Sequence, residues 1–440
     1  MGPEIVFYTL AFLILLVLLG VHIGIALGFT SMLGVYLITG NIDVALSILG
    51  STSYEAIRNH ALAVIPLFVL MGEFVSRSGA ATDLYRICDR GLRRLPGRLA
   101  AATVVGNTAF AAVSGVAIAS AATFSRIAYP EMRRAGYDNG YALGVITGSA
   151  CLGMLIPPSV LLIVWAILTE GSVGALFLGG VGPGLLLGLT FVVYCVVAAM
   201  LKPAIAPTGE PDDAAPVKMR ASGSELFGGI SIAFLVVVVL GGIWRGLFTP
   251  TEAAGFGVLG SALIGWAKGM RYRAFLAAIF DAGRTTAPIM FLLIAGSMYA
   301  RLLAMSGGMN LIQDLFVESG LSTFSIILIM TGVWLALGAI IDSISVILMT
   351  VPIFVPIALA AGLDEIAFAI YGILIIEAGL LTPPVGLLVF TVKSAVPDTS
   401  VSLSDVFWGS LPYLIMIIAV AFLILAMPEL ASWLPDKILN

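Results

Sequence analysis

The chain contains two proline pairs, GMLIPPS at residues 153–159 and GLLTPPV at residues 379–385, each inside a long apolar segment. The pairs are 226 positions apart (383 − 157), and at the same offset Pro130 matches Pro356. A helix cannot run unbroken through two prolines, because their amides are missing and their rings clash with the preceding turn. Two broken helices at corresponding positions of two halves of a membrane chain indicate the binding site of a secondary transporter.

Composition assigns the chain to a membrane. Of its 440 residues, 60% are hydrophobic and 10% are charged, and the mean hydropathy is +1.11. A soluble chain carries roughly 25% charged residues. Residues 5–38 contain no Asp, Glu, Lys or Arg, whereas a spanning helix needs only about 20 apolar residues. The sequence therefore predicts an all-α polytopic membrane protein.

Basic residues cluster in a few loops, and short loops rich in Lys and Arg face the cytoplasm. The apolar stretch 99–130 has such residues on both flanks and is interrupted at residues 113–115, Val-Ser-Gly. Each limb of about 16 residues reaches roughly 24 Å, which is short of a hydrocarbon core of ~30 Å. We therefore expect a re-entrant helical hairpin that opens to the cytoplasm and has its tip at membrane depth.

The apolar stretch 322–356 repeats this pattern with a different charge on its flanks. It is interrupted near residues 337–339. The flanks contain no Lys or Arg and carry Gln313, Asp314, Glu318, Asp364 and Glu365. This composition favours the outer face, so we expect the second hairpin to open to the periplasm.

The other apolar segments complete two halves of opposite orientation. We expect spans at 5–19, 21–38, 60–77, 174–201, 226–247, 252–267, 287–305 and 407–427, and amphipathic interfacial helices at 83–95 and 271–285. Because five crossings precede the cytoplasmic linker 202–225, residues 1–201 and 226–440 form two inverted repeats. Each repeat contains a hairpin and a broken helix, at 99–130 and 140–168 in the first and at 322–356 and 366–395 in the second.

The broken helices carry the chemistry that this pattern predicts. A helix that ends near Gly153 or Gly379 leaves carbonyl groups without partners, which suits a cation. The half-helix after each proline pair presents free amides and a positive dipole end, which suits an anion. Ser114 and Thr382 add hydroxyl groups. Sodium fits such an oxygen cage, although the residues alone do not distinguish it from a proton, and kinks that only shape packing remain the alternative.

Two acidic residues fall inside the second repeat's apolar segments. Glu377 precedes Gly379 by two positions, and Asp342 follows the tip of the second hairpin. Ionisable residues at membrane depth are functional-site hypotheses by default. The alternatives are a structural acid satisfied by backbone amides for Glu377 and a helix N-cap for Asp342.

Several motifs together resemble the large membrane subunit of tripartite ATP-independent periplasmic (TRAP) transporters. They are VSGVA at 113–117, YPEMRRAGY at 129–137, LIPPS at 155–159, FTPTEAA at 248–254 and GLLTPPVG at 379–386. The resemblance implies an elevator-type, sodium-coupled importer of organic acids, typically carboxylates, in the bacterial inner membrane. It also implies a small four-helix membrane subunit and a periplasmic substrate-binding protein as partners.

The resemblance also implies the sodium ligands, many of which act through backbone carbonyls. One site is similar to a cage of Ser114, Gly153, Ile156 and Pro158, and the other to a cage of Gly338, Gly379, Thr382 and Val385. We expect the substrate to contact Gly115, Ser159 and Asp342. We also expect hairpins and broken helices to move together against a frame formed by 5–38, 174–201, 226–267 and 407–427.

Other classes of protein fit less well. A membrane enzyme needs a catalytic dyad or a metal cluster, but His22 and His60 form no motif and the three cysteines are isolated. A channel needs polar residues along several spans, whereas here they gather at the helix breaks. A stand-alone sodium–carboxylate symporter of similar repeat architecture remains the alternative. No enzymatic activity, resident metal or nucleic-acid partner is expected.

Overall fold

Long apolar runs form helices in this protein because a helix pairs its own backbone groups, as a lipid environment requires. The computed structural model describes residues 4–207, 222–308, 320–396, 398 and 400–439, and within them the chain forms nineteen α-helices and no β-strand. Positions 208–221 of the expected linker lie outside the described residues, as do Gln313, Asp314 and Glu318.

Ten helices precede the linker. They are α1 (Ile5–Leu18), α2 (Ile23–Thr39), α3 (Ile42–Arg58), α4 (Val64–Arg77), α5 (Ala80–Gly91), α6 (Arg98–Ser114), α7 (Ala117–Arg134), α8 (Asn139–Ala150), α9 (Val160–Leu168) and α10 (Val173–Leu201). Nine described helices follow it. They are α11 (Gly223–Trp244), α12 (Pro250–Ala267), α13 (Tyr272–Ser306), α14 (Thr323–Gly338), α15 (Ser343–Ala360), α16 (Glu365–Gly379), α17 (Leu387–Ala395), α18 (Leu403–Ala426) and α19 (Glu429–Leu439).

Several of these helices have the length and composition of membrane spans. Helices α10, α11, α13, α15 and α18, and the segment His60–Arg77 that contains α4, are long and apolar enough to cross a membrane. Helices α1, α2 and α14 are apolar but shorter, at 14, 17 and 16 residues. The prediction of an all-α polytopic membrane protein is confirmed.

Two pairs of helices form hairpins. Helices α6 and α7 pack against each other and are joined by Gly115 and Val116, whereas α14 and α15 are joined by residues 339–342. Their limbs contain 16 to 18 residues, so each reaches about 24–27 Å. Each limb is slightly shorter than a hydrocarbon core of ~30 Å, although α15 also counts among the helices long and apolar enough to span it.

Three helical features differ from the predictions. Helix α3 is unpredicted, because its mixed composition lacks a long apolar run. Asn41 caps this helix by accepting a hydrogen bond from the Asp43 amide at 2.9 Å. The interfacial helix predicted at 271–285 is wrong as a separate element, because α13 continues through Pro288. Neighbouring helices let a membrane helix tolerate a proline. Helix α19, also unpredicted, packs against α10.

Helices α8 and α18 approach each other to backbone contact. A Cβ atom at Gly144 would lie 1.9 Å from the Gly409 carbonyl oxygen, and one at Gly148 would lie 2.2 Å from the Tyr413 ring. Glycine at these positions removes the side chain that would separate two membrane helices. The first broken helix is thereby fixed to α18.

The packed helices form two groups. Helix α18 packs on α8 and α16, and α10 packs on α6, α9 and α16. Helices α2, α4, α12 and α13 form a second group through the pairs α2–α13, α4–α12 and α4–α13. Of the spans expected in the frame, 174–201 (α10) thus contacts the first hairpin and both broken helices, and 407–427 (α18) contacts both broken helices.

Candidate functional site

The tip of the first hairpin touches the first helix break. Gly115 ends α6 with a φ of +63°, a left-handed conformation that glycine adopts without a Cβ penalty. Its carbonyl accepts a hydrogen bond from the Val160 amide at 3.2 Å. A Cβ atom at Gly115 would lie 2.6 Å from the Pro158 carbonyl oxygen. The hairpin tip and the break therefore share a backbone-to-backbone contact.

The first break itself is a short non-helical passage. Helix α8 gives way to a 3₁₀ turn at Cys151–Met154, and α9 begins at Val160. Ser159 caps α9: its Oγ accepts from the Leu162 amide at 3.4 Å and donates to the Met154 carbonyl. This serine spans the gap between the two half-helices.

Side chains of the first hairpin close around the break. A Cβ atom at Gly153 would lie 3.1 Å from Ser120 Oγ, and Ser120 Oγ lies 3.2 Å from Ser114 Oγ. Ile156 packs on α10, where a Cβ atom at Gly184 would lie 2.6 Å from its Cγ1. The structure therefore brings together the predicted residues Ser114, Gly115, Gly153, Ile156, Pro158 and Ser159. All of them are buried.

The second hairpin crosses the second break at two glycines. A Cβ atom at Gly379 would lie 2.8 Å from the Gly338 Cα, and one at Gly338 would lie 3.0 Å from the Gly379 Cα. Beyond the crossing, the Ala339 carbonyl accepts hydrogen bonds from the amides of Val385 and Gly386 at 3.1 and 3.2 Å. The backbone of the hairpin tip thus pairs with the chain that leaves the break.

Thr382 lies where α16 ends. Its amide donates to the Gly379 carbonyl at 2.8 Å, and its Oγ1 donates to the Ala378 carbonyl at 2.9 Å. Each oxygen atom in these bonds keeps a second lone pair that a cation could use. The predicted residues Gly338, Gly379, Thr382 and Val385 are therefore also brought together.

The two breaks differ in exposure. Every residue from Ala150 to Val160 is buried, whereas Pro383, Pro384 and Val385 are exposed on the surface of the chain. The second break is therefore the more accessible of the two. Both proline pairs contain a cis peptide bond.

Asp342 caps α15. Its carboxylate accepts from the Ser345 amide at 3.0 Å and from the Ser345 hydroxyl at 2.5 Å. Asp342 therefore has the geometry of a helix N-cap, the alternative to substrate contact. Both carboxylate oxygens are engaged within their own helix turn.

Glu377 is buried near the end of α16, two residues before Gly379. It is 1% exposed, and the Ser343 hydroxyl donates to its Oε1 at 2.7 Å. Its Oε2 has no hydrogen-bond partner among the described residues. Within that part of the chain, the bond to Glu377 comes from a hydroxyl and not from backbone amides. Sequence reasoning missed Ser343 and Ser120, both small polar residues in the apolar second limb of a hairpin.

Aromatic packing holds the two halves together beside the breaks. The ring centroids of Trp165 in α9 and Trp334 in α14 are 6.2 Å apart, and both rings also contact Phe368 in α16. Helix α16 in addition contacts the 3₁₀ turn at Cys151–Met154. The two breaks are therefore parts of one packed unit. No group of three His, Cys, Asp or Glu side chains suited to a metal ion occurs in the described ranges.

Comparison with known proteins gives consistent results. The C4-dicarboxylate TRAP transporter large permease protein DctM of Pseudomonas aeruginosa is 34% identical over 387 residues, covering 87% of this chain and 88% of that protein. The ectoine TRAP transporter large permease protein TeaC of Halomonas elongata is 29% identical and covers 96% of each chain. The structure of the Alcanivorax borkumensis YdaH transporter superposes with a TM-score of 0.59 at 14% identity, covering 89% of each chain, and shares the fold.

The match to a protein family spans nearly the whole chain. Residues 10–430 fit the family described as "Tripartite ATP-independent periplasmic transporter, DctM component". That range contains both hairpins and both helix breaks. The chain belongs to the DctM family of TRAP transporter large permeases and is a multi-pass protein of the bacterial inner membrane.

Proposed function

We propose that the protein is the large permease subunit of a sodium-coupled secondary importer of organic acids. A periplasmic binding protein delivers the solute, and a small four-helix membrane subunit completes the membrane complex. One observation carries the proposal: in each half, a hairpin-tip glycine makes backbone contact with a proline-broken helix, at Gly115–Pro158 and at Gly338–Gly379. Such breaks supply ion and substrate groups at membrane depth.

The carbonyl-rich helix ends at the two breaks suit sodium as the coupling ion. The first site consists of Ser114, Gly153, Ile156 and Pro158, and the second of Gly338, Gly379, Thr382 and Val385. Helix ends leave carbonyl oxygens with spare acceptor capacity, and unwound backbone at such ends coordinates Na⁺ or H⁺ in transporters. Because both sites are built chiefly from backbone, the break itself and not a charged side chain provides the binding.

The organic acid binds between the breaks, at the amino ends of the second half-helices. Helix α9 begins directly after Ser159, whose hydroxyl caps it. A helix amino end carries free amides and a partial positive charge that favour a carboxylate. Gly115 lies at this end beside Ser159, since a Cβ atom on Gly115 would lie 3.7 Å from the Ser159 Cα. The named solutes of the two relatives, C4-dicarboxylates and ectoine, both carry carboxylates.

Two inverted repeats, 1–201 and 226–440, account for the helix packing. The contacts are reciprocal: α7 packs on α17 as α15 packs on α9, α8 packs on α18 as α16 packs on α10, and α2 packs on α13 as α12 packs on α4. Pseudo-symmetric halves of opposite orientation provide two mirror-related conformations, as alternating access requires. In this account α6–α10 and α14–α18 move as an elevator against α2, α4 and α11–α13.

Reconstitution tests the proposal. Radiolabelled C4-dicarboxylate or ectoine would be offered to proteoliposomes that contain the permease, its small subunit and the solute-loaded binding protein. Uptake should require all three proteins. Concentrative uptake by the large subunit alone would favour the stand-alone symporter. Passive equilibration that ignores ion gradients would contradict secondary transport.

A further inference from the structure

A cavity of about 470 Å³ lies outside the two helix breaks, at the end of the first hairpin that we predict to face the cytoplasm. Helices α5, α6 and α7 and the start of α11 form its walls. Four arginines line it: Arg86, Arg90, Arg126 and Arg134. We call this space the arginine cavity. Asp89, Glu131 and Glu225 also line it.

The three carboxylates are already paired. Arg90 donates to both oxygens of Glu225, at 2.7 and 3.0 Å. Asp89 lies 3.6 Å from Arg98, which approaches from α6. Glu131 accepts from its neighbour Arg134 at 3.1 Å. Each carboxylate of the cavity wall is therefore neutralised by an arginine.

Positive charge is left over. Arg86 lies 3.5 Å from Glu225, which Arg90 already binds with two hydrogen bonds. Arg126 forms no ion pair within the described residues. Among the described residues, the wall and its partners therefore hold five arginines against three carboxylates, a surplus of two positive charges at the edge of a low-dielectric membrane. Uncompensated charge in such a place attracts an anion.

Two buried donors in the same wall lack acceptors among the described residues. Tyr85 is 3% exposed, and its hydroxyl, although close to Thr103, forms no hydrogen bond of good geometry. The Nε of Arg90 is also buried and has no acceptor within the part of the chain that the structure describes. Buried polar groups in native proteins are normally satisfied, so each exception needs an explanation. An acceptor-rich ligand in the cavity would supply it.

The depth of the cavity points to the source of that ligand. Arg126 precedes Arg134, the last residue of α7, by eight positions, which is about 12 Å along a helix. An arginine at this depth snorkels toward the level of the lipid headgroups. Basic pockets between membrane helices on the cytoplasmic side bind anionic headgroups. We propose that the arginine cavity binds the phosphate group of an anionic phospholipid.

A phosphate there would join two groups of helices. Arg126 and Arg134 belong to the first hairpin, whereas Tyr85 and Arg86 belong to α5, which is tied to α11 and α12 by the pairs Arg90–Glu225 and Lys268–Asp83. Several phosphate oxygens can accept charge-assisted bonds from both sides at once. The lipid would therefore bridge the hairpin and the helices beside it, and its binding should stabilise the folded permease.

Thermal unfolding of the purified full-length permease in mixed micelles tests the proposal. Phosphatidylglycerol should raise the Tm by about 3 °C over the same amount of phosphatidylcholine. Arg126→Gln should remove most of that rise, and Tyr85→Phe should remove part of it. Arg273→Gln, which changes an exposed arginine at the start of α13, is the charge-matched control and should retain the full rise.

Further arms distinguish the sources of the anion. Glycerol phosphate at the same concentration should give no rise; an equal rise would assign the cavity to a soluble anion and overturn the lipid proposal. Equal phosphatidylglycerol responses of Arg126→Gln and wild type would overturn it as well. If Arg126→Gln does not fold, native mass spectrometry of Tyr85→Phe and Arg126→Lys replaces it. Arg126→Lys should retain the copurified anionic lipid, and Tyr85→Phe should hold less.

Discussion

Gly338 and Gly379 cross with so little separation that a Cβ atom on Gly379 would lie 2.8 Å from the Gly338 Cα. This contact joins the tip of the second hairpin to the end of α16. The corresponding contact in the first half joins Gly115 to Pro158. In both halves, backbone meets backbone where a proline pair interrupts a helix, so ions and substrate would bind chiefly to main-chain atoms.

Gly338→Ala should therefore impair both stability and uptake. The added methyl group meets backbone atoms that cannot rotate away, and such overpacking costs about 1–3 kcal/mol. Gly332→Ala is the matched control on the same helix, because no atom lies within 4 Å of its Cβ position. Detergent-solubilised Tm and initial uptake rate should fall for Gly338→Ala and stay near wild type for Gly332→Ala. Equal effects of the two changes would contradict the close crossing.

Pro384→Leu and Pro158→Leu should each lower the initial uptake rate at least about tenfold while the protein still inserts into the membrane. Leucine restores an amide and permits a continuous helix, so the carbonyls and amides at the break would pair with each other. Pro412→Leu, at a proline inside α18, is the control. Uptake assays on membranes with matched expression make the measurement, and normal transport by both break variants would disprove the role of the helix breaks.

Thr382→Val should have a milder effect, about two- to fivefold on uptake. The hydroxyl already donates to the Ala378 carbonyl, so its loss removes one hydrogen bond worth about 1 kcal/mol and leaves the backbone cage intact. The sodium dependence of the uptake rate gives the readout. Complete loss of uptake in Thr382→Val alongside normal uptake in Pro384→Leu would show that side chains, not the break, form the second site.

Asp83→Asn should destabilise the protein by about 3–5 kcal/mol, because it leaves the charge of Lys268 largely buried without its partner. The side chains of this pair are 11% and 9% exposed. The double change Asp83→Leu with Lys268→Met should recover most of the loss. Glu131→Gln breaks the exposed pair with Arg134 and should cost at most about 1 kcal/mol. Denaturation is measured for wild type, Asp83→Asn, the double variant and Glu131→Gln. A double variant no more stable than Asp83→Asn would contradict the pairing.

The helix breaks could be predicted from the sequence because their cause is local. A proline pair terminates a helix whatever surrounds it, so the ends of α16 and the start of α9 follow from Pro383, Pro384, Pro157 and Pro158. The hairpins could be predicted because limb length and flanking charge are also local properties. Most of the candidate site residues lie at these local features.

Tertiary contacts could not be predicted in the same way. The packing of α18 on the first broken helix depends on Gly144 meeting Gly409, 265 positions away (409 − 144). The Ser343–Glu377 hydrogen bond joins two helices whose register only folding fixes. The continuity of α13 through Pro288 depends on neighbouring helices that supply the missing contacts.

Ion replacement in proteoliposomes is the direct test of sodium coupling. With the small subunit and loaded binding protein present, solute uptake would be measured under an inward sodium gradient and again with sodium replaced by potassium while a proton gradient is kept. The proposed sodium sites at the two helix breaks predict concentrative uptake only with sodium. Equal uptake in potassium with the proton gradient alone would contradict sodium coupling.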